Sequence, residues 1–107
     1  MNKIKNYTPH AINVVLDTGV IEIISSGLAR CTTVRTHIGT LNSGIPIFRT
    51  SFGDVEGLPA PSEGIIYVVS MLAAQALKGI RDDIYIVDDI VRNEAGQIIG
   101  CRALATV

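Results

Sequence analysis

Three short turn sequences partition this 107-residue chain: "DTG" at Asp17–Gly19, "NSG" at Asn42–Gly44 and "NEAG" at Asn93–Gly96. Each lies between runs rich in β-branched residues. That is the pattern of antiparallel hairpins, because Asn, Asp and Gly accept the backbone angles of tight turns at little cost. His10–Leu16 and Val20–Ser25 are expected as the first hairpin, with Ile21 and Ile23 on one face and Glu22 opposite. "ARCTTVRTHIGTL" and "IPIFRTSF" make the second. "DDIVR" and "QIIGCRALATV" make the third, with Gly96 at a position suited to positive φ. The intervening "GDVEGLPAPSEG" is a loop, since Pro59 and Pro61 lack backbone donors and its glycines permit turns.

One stretch departs from this pattern. In "EGIIYVVSMLAAQALKGIRDD", residues 63–83, the strand-forming run Ile65–Val69 meets Ser70 and then a set of strong helix formers. Ser70 is a good N-cap, and Gly79 can end the helix in a left-handed conformation. Leu72 with Ala76, and Ala73 with Leu77, are four apart and predict the buried side, while Gln75 and Lys78 predict the wet one. At about nine residues the helix needs packing to persist. The expected fold is mainly β (α+β), a small twisted β-barrel or two packed antiparallel sheets, with one short inserted helix near residues 70–79 plugging one end. The length and apolar content suit a single domain over residues 1–107.

Composition removes several function classes. Nine basic against ten acidic side chains leave a net charge of −1, so no positive field draws in nucleic acid regardless of sequence. No run approaches the roughly 20 apolar residues of a bilayer span, and no charged start precedes an apolar run; both imply a soluble, unprocessed, non-membrane chain. Cys31 and Cys101 are the only cysteines and lie in strand-like segments, which fits small buried thiols in a reducing cytoplasm rather than a disulfide framework. With His10 and His37 unclustered, no zinc-type ligand set is present in the sequence, and neither metal nor cofactor is expected.

A few polar residues can carry binding chemistry. A helix that starts directly after a strand presents free N–H groups and a positive dipole end, so Ser70 is a candidate wall of an anion-accepting pocket. Arg30, Arg35 and Arg49 fall in strand-like segments, where the ordinary reading is a surface arginine with its stem laid flat and the alternative is a phosphate grip, and at least one of Arg30, Arg49 or Arg92 is expected to supply charge to that pocket. Arg81 follows the helix C-terminus, about 14 Å from its start at 1.5 Å per residue, and can join that pocket only from a neighbouring subunit. A homo-oligomer is therefore part of the expectation. His10 is a further candidate ligand contact. Asp82, Asp83, Asp88 and Asp89 resemble an acid pair or a magnesium site, but such runs are usually solvated turn residues; no Ser or Cys nucleophile motif accompanies His10, and no catalytic residue is assigned.

The strings "YTPHAINVV", "FRTSFGDVEGLPAPSEGIIYVVSMLAAQA" and "RDDIYIVDDIVRNEAGQIIGCRAL" resemble a family of small, functionally unassigned proteins of about 100 residues from bacteriophages and bacteria. The resemblance covers nearly the whole chain. It implies a phage or prophage setting in a bacterial cytoplasm and transfers no catalytic role to any position. Three readings stay open. The first is a small-molecule binder that sequesters a nucleotide-derived immune signal, a cyclic nucleotide or an ADP-ribose derivative. The second is an accessory or host-inhibiting interaction protein that uses its strand edges. The third is a hydrolase using the Asp pairs or His10.

Overall fold

The computed structural model describes residues 3–107 as a mainly β fold with one short helix. The strands are β1 (Lys3–Asn6), β2 (Ile12–Leu16), β3 (Gly19–Ile23), β4 (Arg30–Thr40), β5 (Pro46–Glu56), β6 (Ile65–Val68), β7 (Ile84–Arg92) and β8 (Ile98–Ala105). Helix α1 (Met71–Leu77) lies between β6 and β7. Six strands form one curled sheet in the order β1-β6-β7-β8-β2-β3, and β4 and β5 pair separately.

All three expected hairpins form. β2 pairs with β3, β4 with β5 and β7 with β8, each antiparallel. Gly96 has φ 80° at its turn, and Gly79 has φ 80° just beyond the helix. The hairpins are stitched together by parallel pairings that turn sequences cannot announce: β1 with β6, β6 with β7, and β2 with β8.

The β6–β7 pairing explains the helix. Two parallel neighbours cannot be joined by a tight turn, because the chain must travel back along the sheet before entering the second strand. Residues 69–83 make that return, and α1 is its rigid part. The helix is therefore a crossover lying between the sheet and the base of the β4–β5 hairpin, rather than the end plug that a barrel of hairpins would need. Ala73 and Ala74 are its buried residues, whereas Leu72 is exposed. Small side chains face the sheet because the helix lies close against it. The core on this side is Ala29, Tyr67, Val69, Ile84 and Ile86, packed on the two alanines.

Strand alternation sends the other residues of β6 and β7 to the opposite, inner face, where Val68, Ile12 and Cys101 are buried and Tyr85 and Val87 pack against them. The curl brings β1 at one edge of the sheet toward β3 at the other, and Asn6 makes a parallel bridge to Ser25 just past the end of β3. The sheet is thus a half-barrel drawn together at one end.

Candidate functional site

The half-barrel has an open cleft of about 650 Å³ on its inner side, walled by the 8–13 segment and by β7 and β8. Its floor is Ile12, Val87, Ile90, Ile98, Ile99 and Cys101, and its polar groups come from Thr8, His10 and Asn13. The shape has a local cause. A Cβ on Gly100 would stand 2.6 Å from the Asn13 carbonyl oxygen, so glycine alone lets β8 approach β2 this closely. Ile98 and Ile99 follow one another at the start of β8, and each leaves about half its surface in solvent.

The polar end is held by Asn6, which is fully buried. Its Nδ2 donates to the His10 carbonyl at 2.8 Å and to the Ile23 carbonyl at 3.0 Å. Its Oδ1 accepts from the Thr8 amide at 2.9 Å and the Thr8 hydroxyl at 2.6 Å. Every hydrogen-bonding position that the amide offers to its own turn and to the far edge of the sheet is in use, as burial requires. Asn6 was not a sequence candidate. The signal available was "NYT", in which an Asn accepts from the amide two residues on and closes a local turn. Thr8, Asn13 and the β8 isoleucines were missed as well, because their convergence depends on the β2–β8 pairing.

The residues singled out in the sequence are dispersed. Ser70 caps α1 as expected, its hydroxyl accepting from the Ala73 amide at 3.3 Å, and this hydroxyl serves the helix itself. Arg81 forms a bidentate pair with Asp83 through Nε at 2.9 Å and Nη2 at 2.7 Å, donates from Nη1 to the Pro59 carbonyl at 2.8 Å, and lies over the Tyr67 ring. Its hydrogen bond to Asp83 holds that carboxyl below its ordinary range and raises the guanidinium further. Arg81 borders a smaller hollow of about 190 Å³ near the end of α1 and the last residues of the chain. Arg92 donates to the Gly96 carbonyl at 2.9 Å and braces the β7–β8 turn. Arg30 is exposed at the start of β4, and Arg49 is exposed on β5 opposite Thr36. His10 alone of these borders the cleft.

Among the described residues, no three His, Cys, Asp or Glu side chains come together in a way that could hold a metal ion. No helix among them is long and apolar enough to cross a membrane. Cys31 and Cys101 are both free thiols, and burial pushes the Cys101 thiol up.

The cleft defines a class in physical terms: a small β-rich domain with one open, apolar-floored concavity whose polar groups gather at one end. No family model, curated protein or solved structure matches the chain.

Proposed function

We propose that this chain is a non-catalytic small-molecule-binding protein whose ligand occupies the open cleft of the half-barrel. The observation that carries this reading is the cleft itself. A volume of about 650 Å³ lies within the range of ligand sites, which are mostly apolar with a few placed polar groups. The isoleucine floor suits the flat face of a heteroaromatic ring, and His10 and Asn13 offer hydrogen-bonding groups for its edge or its sugar, the Thr8 hydroxyl being engaged by Asn6.

In the phage setting implied by the resemblance, the ligand class is a nucleotide-derived signal, a cyclic nucleotide or an ADP-ribose derivative, withdrawn from the host's pool by binding. His10 is the one basic side chain on the lining, so a ligand with several phosphates needs cations from beyond this surface. A homo-oligomer supplies them and is part of the proposal. Titrating cyclic dinucleotides and ADP-ribose derivatives by calorimetry tests the reading: heat of binding is expected with the native chain and is reduced with His10→Ala. Absence of heat with every member of the panel contradicts the ligand class.

The interaction-protein reading has its own support in the β4–β5 hairpin, most of whose residues are left exposed by the rest of the described residues. The hydrolase reading has no comparable observation, since Asp83 is engaged by Arg81 and Asp89 faces Arg102 at 3.9 Å.

A further inference from the structure

We infer that the β4–β5 hairpin is an association arm that packs on the body of a second copy of this chain. This gives the homo-oligomer of the proposed function its contact surface, and it rests on that part of the reading alone.

The first observation is shape. A compact domain of this length has a radius of gyration of about 13 Å, whereas this chain has 16.9 Å and a longest dimension of 56 Å. The excess comes from an arm with strands of 11 residues each. Its base is held, since Cys31 and Val55 pack on the core beside α1. Beyond Cys31, the β4 residues from Thr32 to Ile38 are all exposed.

The second observation is the character of those exposed faces. Val34 is 56%, Ile38 51%, Phe48 42% and Phe52 43% exposed. Thr33, Arg35 and His37 alternate along β4 from Cys31, so the face bearing their partners Phe48 and Phe52 continues the face that Cys31 turns to the core. Arg35 stacks over Phe48 at 4.0 Å, and His37 tilts against it at 5.4 Å between ring centroids. A lone two-stranded hairpin is at best marginally stable in water. Neither strand contains a Lys, and β5 has its one Pro at its first residue; the register shifts between Cys31 and Thr33 and between His37 and Gly39 disfavour pairing along the edges, which leaves the exposed faces as the surface for association.

The third observation selects the occupant. Residues 32–54, the arm beyond its Cys31–Val55 base, contain Arg35 and Arg49 against Asp54, a net +1, while the whole chain carries −1, which leaves −2 on the remainder. Two such arms laid together repel, whereas an arm laid on another copy's acidic body is attracted, and reciprocal exchange satisfies both copies at once. The same placement delivers arginines to the neighbour's surface, where its own cleft has His10 alone.

Native mass spectrometry and light scattering across a micromolar dilution series test this, with the native chain, Phe48→Ser combined with Phe52→Ser, and Arg35→Glu combined with Arg49→Glu. The native chain is expected to be oligomeric. The double Phe variant should dissociate more than about tenfold more readily, since buried aromatic anchors dominate interface energies, with its thermal unfolding still cooperative because the arm lies outside the core. The charge reversal should also weaken association. A monomeric native chain, or an oligomer indifferent to the Phe pair, overturns the inference. An oligomer weakened by the Phe pair but not by charge reversal means arm-on-arm packing and overturns it too. Calorimetric titration of the same variants reads the cleft separately, so failure of the arm and failure of the ligand reading are distinguishable.

Discussion

Asn6 and Ile23 lie on strands at opposite edges of the six-stranded sheet, and the Asn6 side-chain amide donates to the Ile23 carbonyl at 3.0 Å. A sheet that twists has two edges with unpaired backbone groups. Here the buried Asn6 side chain, together with the bond from the Ser26 amide to the Asn6 carbonyl at 2.7 Å, ties the edges at one end and leaves the inner face open along the rest, so the cleft and its closure have a common origin. The amide also fixes the turn that carries Thr8 and His10.

Replacing Asn6 should therefore affect both stability and the site. Asn6→Ala leaves the Ile23 carbonyl without the side-chain donor and the Thr8 amide without the acceptor that Asn6 supplies, while the His10 carbonyl keeps the Thr8 hydroxyl, and each stranded part-buried group costs about 1–3 kcal/mol. Asn6→Asp keeps the shape but removes both donors, and should be at least as damaging near neutral pH. Chemical denaturation measures both. A loss below about 1 kcal/mol in either variant contradicts the closing role.

The Arg81–Asp83 pair predicts an acid limb of stability. The carboxyl of Asp83 is held below its ordinary range by the Arg81 hydrogen bond, so the folded state binds this proton less readily than the unfolded chain does. The contribution is present above the unfolded value near 3.8 and is lost as pH falls through the lower folded value. Arg81 stays charged throughout. Asp83→Asn should lower stability near neutral pH by about 1–3 kcal/mol and flatten its fall below about pH 4. Urea midpoints measured across that range check both effects.

The two thiols should behave differently. Cys101 is 1% exposed and burial keeps it protonated, whereas Cys31 is partly accessible at the base of the arm. Since the thiolate is the reactive form, a thiol reagent should modify one cysteine quickly in the folded chain and the second only with unfolding. Equal rates at both would contradict the packing of β8 on β2. Reductant should leave the melting temperature unchanged, because there is no bridge to break.

Gly100→Ala tests that packing directly. The added methyl meets the Asn13 carbonyl oxygen, so β8 must move away from β2 and the cleft floor shifts with it. Overpacking of this kind costs about 1–3 kcal/mol. The expected result is a destabilised chain with weaker ligand binding than the stability loss alone explains. Unchanged melting would show that the strands stand further apart.

Much of this fold was legible because hairpins are local. "DTG", "NSG" and "NEAG" each sit between the strands they join, and Ser70 marks the helix through its own hydroxyl. The parallel pairings were not legible, since nothing in Lys3–Asn6 or Ile65–Val68 names its partner across 60 residues of chain. That gap led the helix to be read as a plug instead of a crossover. The same gap hid the cleft, of which His10 alone was foreseen. The exposure of the β4–β5 arm was hidden for another reason: Thr33, Val34, Phe48 and Phe52 alternate like a half-buried strand whether the partner surface belongs to the same chain or to another.

The ligand proposed for the half-barrel cleft is nucleotide-derived, and native mass spectrometry of the chain purified from cells producing such signals reads it without a prior choice of compound. Ile99, about half exposed on the cleft floor, can be changed to Glu without opening the core. A bound mass matching a cyclic nucleotide or ADP-ribose derivative is expected on the native chain and is expected to be lost in Ile99→Glu. A native chain that carries no such mass, or an Ile99→Glu chain that retains it in full, rules out this ligand in this cleft.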